Sequence, residues 1–382
     1  MHTSTARPAR TQRALPAPVA AHGALGRRPV QRPRHGAAGA LRQRGLTLIE
    51  VMVALLLGLL LIGAVGGLYL ANHQTFRQVE NMARINENAR LAFELLGRDL
   101  REAGGIACGS RLPTANVVQA PAGTWWNQWG QGLRGYEQDE AVPTNQLPAR
   151  AFGLAALDRV AGTDAVVVWS GSNEVALSVV NHNPPAAALH INRNQHGIED
   201  GDIVLACDMR QAAIFQVSNS NQANATIVHN TGAAVRPGNC RKELGLSSAA
   251  PHDCSTAGSA YSFAAGGFLT RLQASAWYIG FNGRGGTSLY RVSLGNDAGT
   301  AQAGAPEEVI ENVTNLQISY LERSAAGALG NSYVTATTVN DWSRVHAVRL
   351  ELTYTTAEAV GTDAQRITRT LPFVVGLRNR LP

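Results

Sequence analysis

The chain has 382 residues, 33 basic and 27 acidic, with a formal net charge of +6. That length suffices for a sizeable core, and the charge raises a nucleic-acid surface as a first idea. Its distribution removes the main support for the idea: residues 1–45 hold nine Arg and no Lys, Asp or Glu, and taking those nine from the 33 leaves 24 basic against 27 acidic residues. No nucleic-acid partner is expected for the remainder.

With Pro, Ala and Gly between the arginines, residues 1–45 cannot build a core and read as a disordered leader, shorter if translation begins at Val30. The next stretch, from Arg42 to Leu70, reads RQRGLTLIEVMVALLLGLLLIGAVGGLYL. The run Val51 to Ala71 has no charge, and its 21 residues span roughly 30 Å as a helix, the thickness of a bilayer's hydrocarbon core. With Arg42 and Arg44 before it, the expected orientation is N-terminus in the cytoplasm and C-terminus exported.

A secretory signal places its small-residue cleavage site after the apolar run, whereas here Gly45-Leu46-Thr47-Leu48-Ile49-Glu50 precedes it. Glu50 is a carboxylate at the mouth of an apolar segment, which costs a few kcal/mol unless it finds a partner. If the chain is cut after Gly45, the new amine of Leu46 lies about one helical turn from Glu50, so the two can pair within a chain or between neighbours.

Beyond the span, Val79, Met82, Ile85, Ala89, Ala92, Leu96 and Leu100 recur at spacings of three and four, an apolar stripe on one helix face. Gly104-Gly105 supplies a stop. The spacing predicts one helix from Leu46 to Ala103, roughly 85 Å long. Its first half belongs in lipid or against other copies, its second under a globular domain. Gly58, Gly63, Gly66 and Gly67 weaken the first half by up to about 1 kcal/mol each against Ala and suit close helix packing.

Residues 106 to 382 alternate short β-branched and aromatic runs with Gly, Asn, Pro and Ser turns, the mark of a β-rich domain. Strands are expected at Asp164 to Trp169, Val175 to Val180, Asp202 to Cys207, Ala213 to Ser218, Ala274 to Phe281, Ser288 to Ser293, Val313 to Leu321, Val345 to Tyr354 and Arg366 to Val375. Asn282 to Gly286 reads as a hairpin turn. A subdomain from Cys108 to Gln146 is expected, and no internal repeat is visible.

Cys108, Cys207, Cys240 and Cys254 fall on the exported side, where oxidation favours disulfides. Four cysteines allow three connectivities. The expected pairs are Cys240 with Cys254, closing a small loop, and Cys108 with Cys207, tying the helix end to the sheet. The competitor is zinc held by Cys240, His252 and Cys254 with His229 or Cys207, but no CxxC spacing supports it. His182, His190 and His196 read as a polar surface loop, since their spacings suit no helix or strand face. Trp125-Trp126-Asn127-Gln128-Trp129 is expected to cap the core in preference to contacting a partner or carbohydrate. Asp200 and Asp202 around Gly201 read as a turn more than a calcium site. No GxSxG, HExxH or phosphate loop follows a strand, so no catalytic residue, metal or cofactor is expected.

The string Gly45 to Glu50 fused to an apolar helix resembles the class III signal of type IV prepilins and type II secretion pseudopilins. The resemblance implies cleavage between Gly45 and Leu46 by a membrane prepilin peptidase, N-methylation of Leu46, and Glu50 as the acidic residue of the mature N-terminus. Further strings resemble the PilW family of minor pilins: Asn86 to Arg90 with Asp99 to Gly104, Thr163 to Val166, Ser288 to Arg291, Val313 to Ile318, Trp342 to Val345 with Val348 to Leu350, and Leu377 to Arg380. Residues 111–150 and 219–262 match no pattern.

The resemblance implies an α+β, type IV pilin-like fold: a long N-terminal helix, transmembrane in its first half and amphipathic in its second, packed on a large antiparallel β-rich domain. The expected divisions are a leader 1–45, a helix 46–104 with its span at 46–71, and a periplasmic or extracellular domain 105–382. It further implies a single-pass inner-membrane precursor that enters the pilus at the cell surface. There it would prime assembly with other minor pilins, the major pilin, a tip adhesin and the inner-membrane platform, supporting twitching motility and attachment. Two alternatives stand beside it: a J-type pseudopilin of type II secretion, usually smaller, and a membrane-tethered periplasmic enzyme or sugar-binding receptor.

Overall fold

The computed structural model describes residues 45–109, 112–120, 124–138, 140, 152–232, 234–247, 254 and 258–380. The expected leader over residues 1–44 and residues 141–146 of the expected subdomain lie outside the described residues. Among the described residues one long helix, α1 (Leu48–Glu102), precedes fifteen strands: β1 (Thr114–Asn116), β2 (Leu133–Tyr136), β3 (Ala165–Asn183), β4 (Ala188–Ile191), β5 (Ile203–Cys207), β6 (Ala212–Gln216), β7 (Asn219–Ser220), β8 (Thr226–Val228), β9 (Phe268–Phe281), β10 (Thr287–Asp297), β11 (Thr300–Ala303), β12 (Glu307–Glu311), β13 (Val313–Glu322), β14 (Val345–Thr355) and β15 (Thr368–Gly376).

A twelve-stranded sheet runs β1-β6-β5-β9-β3-β4-β8-β7, with β10 on β9, β11 and β12 on β10, and β2 on β3. A second sheet is β13-β14-β15. The pairings are antiparallel except that β1 lies parallel to β6, a departure from the all-antiparallel expectation. The Asn282 to Gly286 turn joins β9 to β10 as a hairpin in register from Thr287 with Phe281 to Ser293 with Ser275. The two strands expected at Asp164 to Trp169 and Val175 to Val180 are one. The polar interval between them is absorbed by a register shift against β9 between Gly171 and Ala176, as a bulge allows.

Period-two alternation divides the central strands between two cores. Val166 and Val168 of β3, Trp277 and Ile279 of β9 and Leu289 of β10 face one cluster. Their neighbours Ala165, Val167, Trp169, Ala276, Tyr278, Tyr290 and Val292 face another. The first cluster is closed by α1 and the three-stranded sheet, through Ile85, Ala89, Ala92, Leu96 and Leu100 against Leu316, Ile318, Val348, Leu350 and Leu352. Ala89 and Ala92 let the helix backbone approach the sheet, and Phe93 stacks on Phe373 at 4.8 Å. The second cluster is closed by Val118, Trp125 and Trp126. The described part of the expected subdomain is therefore integral to the main sheet, its β2 pairing with β3. Burial of alternate faces also accounts for β5 and β6, buried at every residue: Ile203, Leu205 and Cys207 join the second cluster, while Val204 and Ala206 join a third with Phe215, Leu189 and Ile191.

The apolar stripe of α1 holds from Ile85 to Leu100, but Val79 is 62% exposed. Its turn meets polar loop rather than sheet. Arg77 pairs with Glu358 and Gln78 Nε2 donates to the Val360 carbonyl at 2.6 Å. The helix ends where expected, for a backbone reason: Gly104 takes φ +67°, Gly105 N–H donates to the Glu102 carbonyl, and Gly104 N–H donates to Trp169 O, both at 2.8 Å.

A polar contact near the end of α1 docks it on the main sheet. Asp99 accepts from Trp277 Nε1 at 2.9 Å and pairs with Arg291 at 3.1 Å. Burial pushes the Asp99 carboxyl up, and Arg291 opposes the shift. Asp99→Ala is expected to cost about 2–3 kcal/mol, because it strands a partly buried guanidinium, while Asp99→Asn keeps an acceptor for Trp277 and costs less. Urea unfolding in detergent micelles measures both, and equal losses would remove the Trp277 hydrogen bond from the account and leave the charge alone.

Candidate functional site

The candidate site begins at the start of α1. Thr47 is its N-cap: the Thr47 hydroxyl accepts from Glu50 N–H at 3.3 Å and its carbonyl from Val51 N–H at 3.2 Å. This is the Thr-x-x-Glu spacing of a capping box, a signal legible in the sequence that the reading of Glu50 as an ion-pair partner alone passed over. It starts the helix at Leu48 rather than Leu46, leaving Gly45 and Leu46 outside the first turn. Glu50, on the third helical residue, sits where the helix dipole favours a negative charge.

The apolar side chains from Leu46 to Val65 are exposed, Leu48 at 82%. An 18-residue window of α1 has mean hydropathy 2.7 with none of it buried. Apolar surface on this scale belongs in lipid or against other helices.

The structure pairs Cys108 with Cys207 and Cys240 with Cys254. No described cysteine is free for zinc, and His252 lies outside the described residues. Trp125 and Trp126 are buried, and the Trp125 carbonyl accepts from Trp169 Nε1 at 2.9 Å, so the tryptophan stretch closes the core.

The expectation of a surface loop for His182, His190 and His196 needs correcting. His182 and His196 are buried, and the three are dispersed. His190 sits on β4 with its Nδ1 3.1 Å from Thr226 Oγ1, and His196 Nδ1 accepts from Ile198 N–H. His182, at the end of β3, instead meets His229, a residue 47 positions away, which is why sequence spacing missed the pair. Phe263 N–H donates to His182 Nδ1 at 3.2 Å, so His182 Nε2 carries the proton and donates to His229 Nε2 at 3.1 Å. Among the described residues no three His, Cys, Asp or Glu side chains converge as a metal site.

Asp200 accepts from Ser220 N–H. Asp202 pairs with Arg271 at 2.9 Å and accepts from Asn296 Nδ2 at 2.9 Å. Gly201, at φ +92°, lies so close to Gly299 that a Cβ would come within 2.4 Å of its Cα. The Asp-Gly-Asp sequence is a turn.

Burial pushes the His182 imidazole down to about 4, and burial with the neighbouring His182 ring pushes His229 down to about 3. Both lie below the ordinary 6.5, so folding excludes their protons: their effect on stability is nil above pH 6.5 and unfavourable as pH falls from there toward 4. Each contributes about 1.4 kcal/mol per pH unit in that window. Asp164 opposes them. Burial raises its carboxyl to about 7, so stability from it grows as pH falls from 7 toward 3.8. A His182→Gln/His229→Gln comparison cancels Asp164: the stability difference between wild type and variant is expected to change by up to about 2.7 kcal/mol per pH unit below 6.5. A flat difference would show the pair to be without effect.

An N-terminal signal, a helix with an exposed apolar first part and a buried stripe in its second, and a β-rich domain define a class: a membrane-anchored, prepilin-like protein. Two family models match the chain, "Type IV Pilus-assembly protein W" over residues 276–375 and "Prokaryotic N-terminal methylation motif" over residues 41–66. Together they are consistent with a type IV pilus minor pilin of the PilW family. Neither a curated protein nor a solved structure matches. The PilW match runs from the end of β9 through β15, the segment that supplies the three-stranded sheet against α1. Ser288 to Arg291, Val313 to Ile318 and Trp342 to Leu350 fall inside it, whereas Asn86 to Gly104, Thr163 to Val166 and Leu377 to Arg380 do not.

Proposed function

We propose that the chain is a minor pilin precursor cut between Gly45 and Leu46, methylated on the Leu46 amine by a prepilin peptidase, and drawn from the inner membrane into a type IV pilus. The supporting observation is a capped helix start carrying Glu50, followed by an apolar stretch with none of its side chains buried. In lipid that stretch needs no neighbour, but the Glu50 carboxylate does, and a filament offers the Leu46 amine of an adjacent subunit as counter-charge. The chain then divides into a leader 1–45, a helix 46–104 with its span at 46–71 inserted N-in, and an exported domain 105–382. In this role it primes assembly with other minor pilins, the major pilin and a tip adhesin on the inner-membrane platform, and supports twitching motility and attachment.

Mass spectrometry of the mature N-terminus is the direct test. A chain starting at methylated Leu46 fits the reading, and an uncut chain refutes it. Deleting the gene is expected to reduce surface pili and twitching while sparing exoprotein release. The opposite pattern would assign the subunit to type II secretion.

A further inference from the structure

A cleft of ≈ 260 Å³ lies at the C-terminal end of α1, between that end, the Gly171 bend of β3, Thr270 of β9 and Arg378 near the chain end. Arg98, Arg101 and Arg378 line it against one acid, Glu102, a local charge of +2. Arg98 stands 4.0 Å from Glu102. Arg101 lies over the Phe93 ring at 5.8 Å, a contact that leaves its charge uncompensated. Among the described residues Arg378 makes no ion pair. At the floor, Thr270 is 3% exposed and its hydroxyl has no hydrogen-bond partner, a costly state for a buried polar group. A Cβ on Gly171 would sit 2.8 Å from that oxygen, so the glycine keeps the approach to it open. The last helical carbonyls would repel an anion, but Glu102 O already accepts from Gly105 N–H and from Asn379 Nδ2 at 3.2 Å.

We propose that this cleft binds a phosphate monoester. Such a group carries a charge of about −1.5 to −2 at pH 7, which matches the cleft, whereas a carboxylate brings half of it. Its oxygens suit the forked donors of arginine and accept from a hydroxyl. The ligand is either a free phosphate ester or the phosphomonoester head of a lipid.

The test uses the full chain. In non-ionic detergent and phosphate-free buffer, glycerol 3-phosphate is titrated and its phosphorus NMR line width followed. In a second arm, the chain is reconstituted in phosphatidylcholine nanodiscs with or without phosphatidate and its thermal unfolding recorded. Saturable broadening is expected, weakened about tenfold by Arg378→Gln and by Thr270→Val and unchanged by Arg84→Gln, whose side chain pairs with Glu80. Circular dichroism checks that the variants fold. Response to glycerol 3-phosphate identifies a free ester, and stabilisation by phosphatidate alone, lost in the same two variants, identifies a lipid head group. No response in either arm, or a response equal in all variants, overturns the proposal.

Discussion

Glu50→Ala is expected to leave the amount of protein in the membrane fraction unchanged while lowering its recovery in sheared filaments more than tenfold. Insertion depends on the uncharged run that follows, and removing a carboxylate from its mouth makes insertion no harder. Incorporation is expected to differ because, under the proposed pairing, the Leu46 amine would be buried among apolar helices without its counter-charge. Breaking a buried pair from one side costs about 3–5 kcal/mol, which exceeds a hundredfold in an equilibrium. Glu50→Gln separates charge from capping: it retains the residue type of a capping box but not the charge, so it should fail nearly as badly as Ala. Filaments containing normal amounts of either variant would leave the ion pair without a role.

The disulfides should rank by the chain they close. Removing Cys108–Cys207, which spans 99 residues, is expected to cost about 4–5 kcal/mol, and removing Cys240–Cys254, which spans 14, about 3 kcal/mol. The first estimate is reinforced by position: Cys207 is fully buried in the second core, and Cys108 follows the end of α1, so the bond holds the helix terminus to β5. Urea unfolding of the two double-alanine variants in detergent gives the order. A larger loss from the 14-residue loop would show that native-state relaxation outweighs the entropy of the unfolded chain.

Much of the architecture was legible because it is written in local periodicity. The stripe Ile85 to Leu100, the stop at Gly104-Gly105, the hairpin at Asn282 to Gly286 and most β-runs rest on spacings of two to four residues. Short strands such as β4, β7, β8 and β11 escaped because two to four residues do not establish a period. The Thr47 cap is equally local, a Thr-x-x-Glu spacing three residues long.

The residues by themselves determined that this chain carries a membrane-length apolar helix behind a prepilin-type signal and leads into a β-rich domain. Those properties follow from composition and short-range pattern, which every conformation of the chain shares. Only the tertiary structure decided that Asp99 meets Arg291 and Trp277, that His182 meets His229, and that three arginines gather round an unpaired threonine hydroxyl. Such groups lie tens to hundreds of residues apart along the chain, and only strand pairing together with the docking of α1 brings them together.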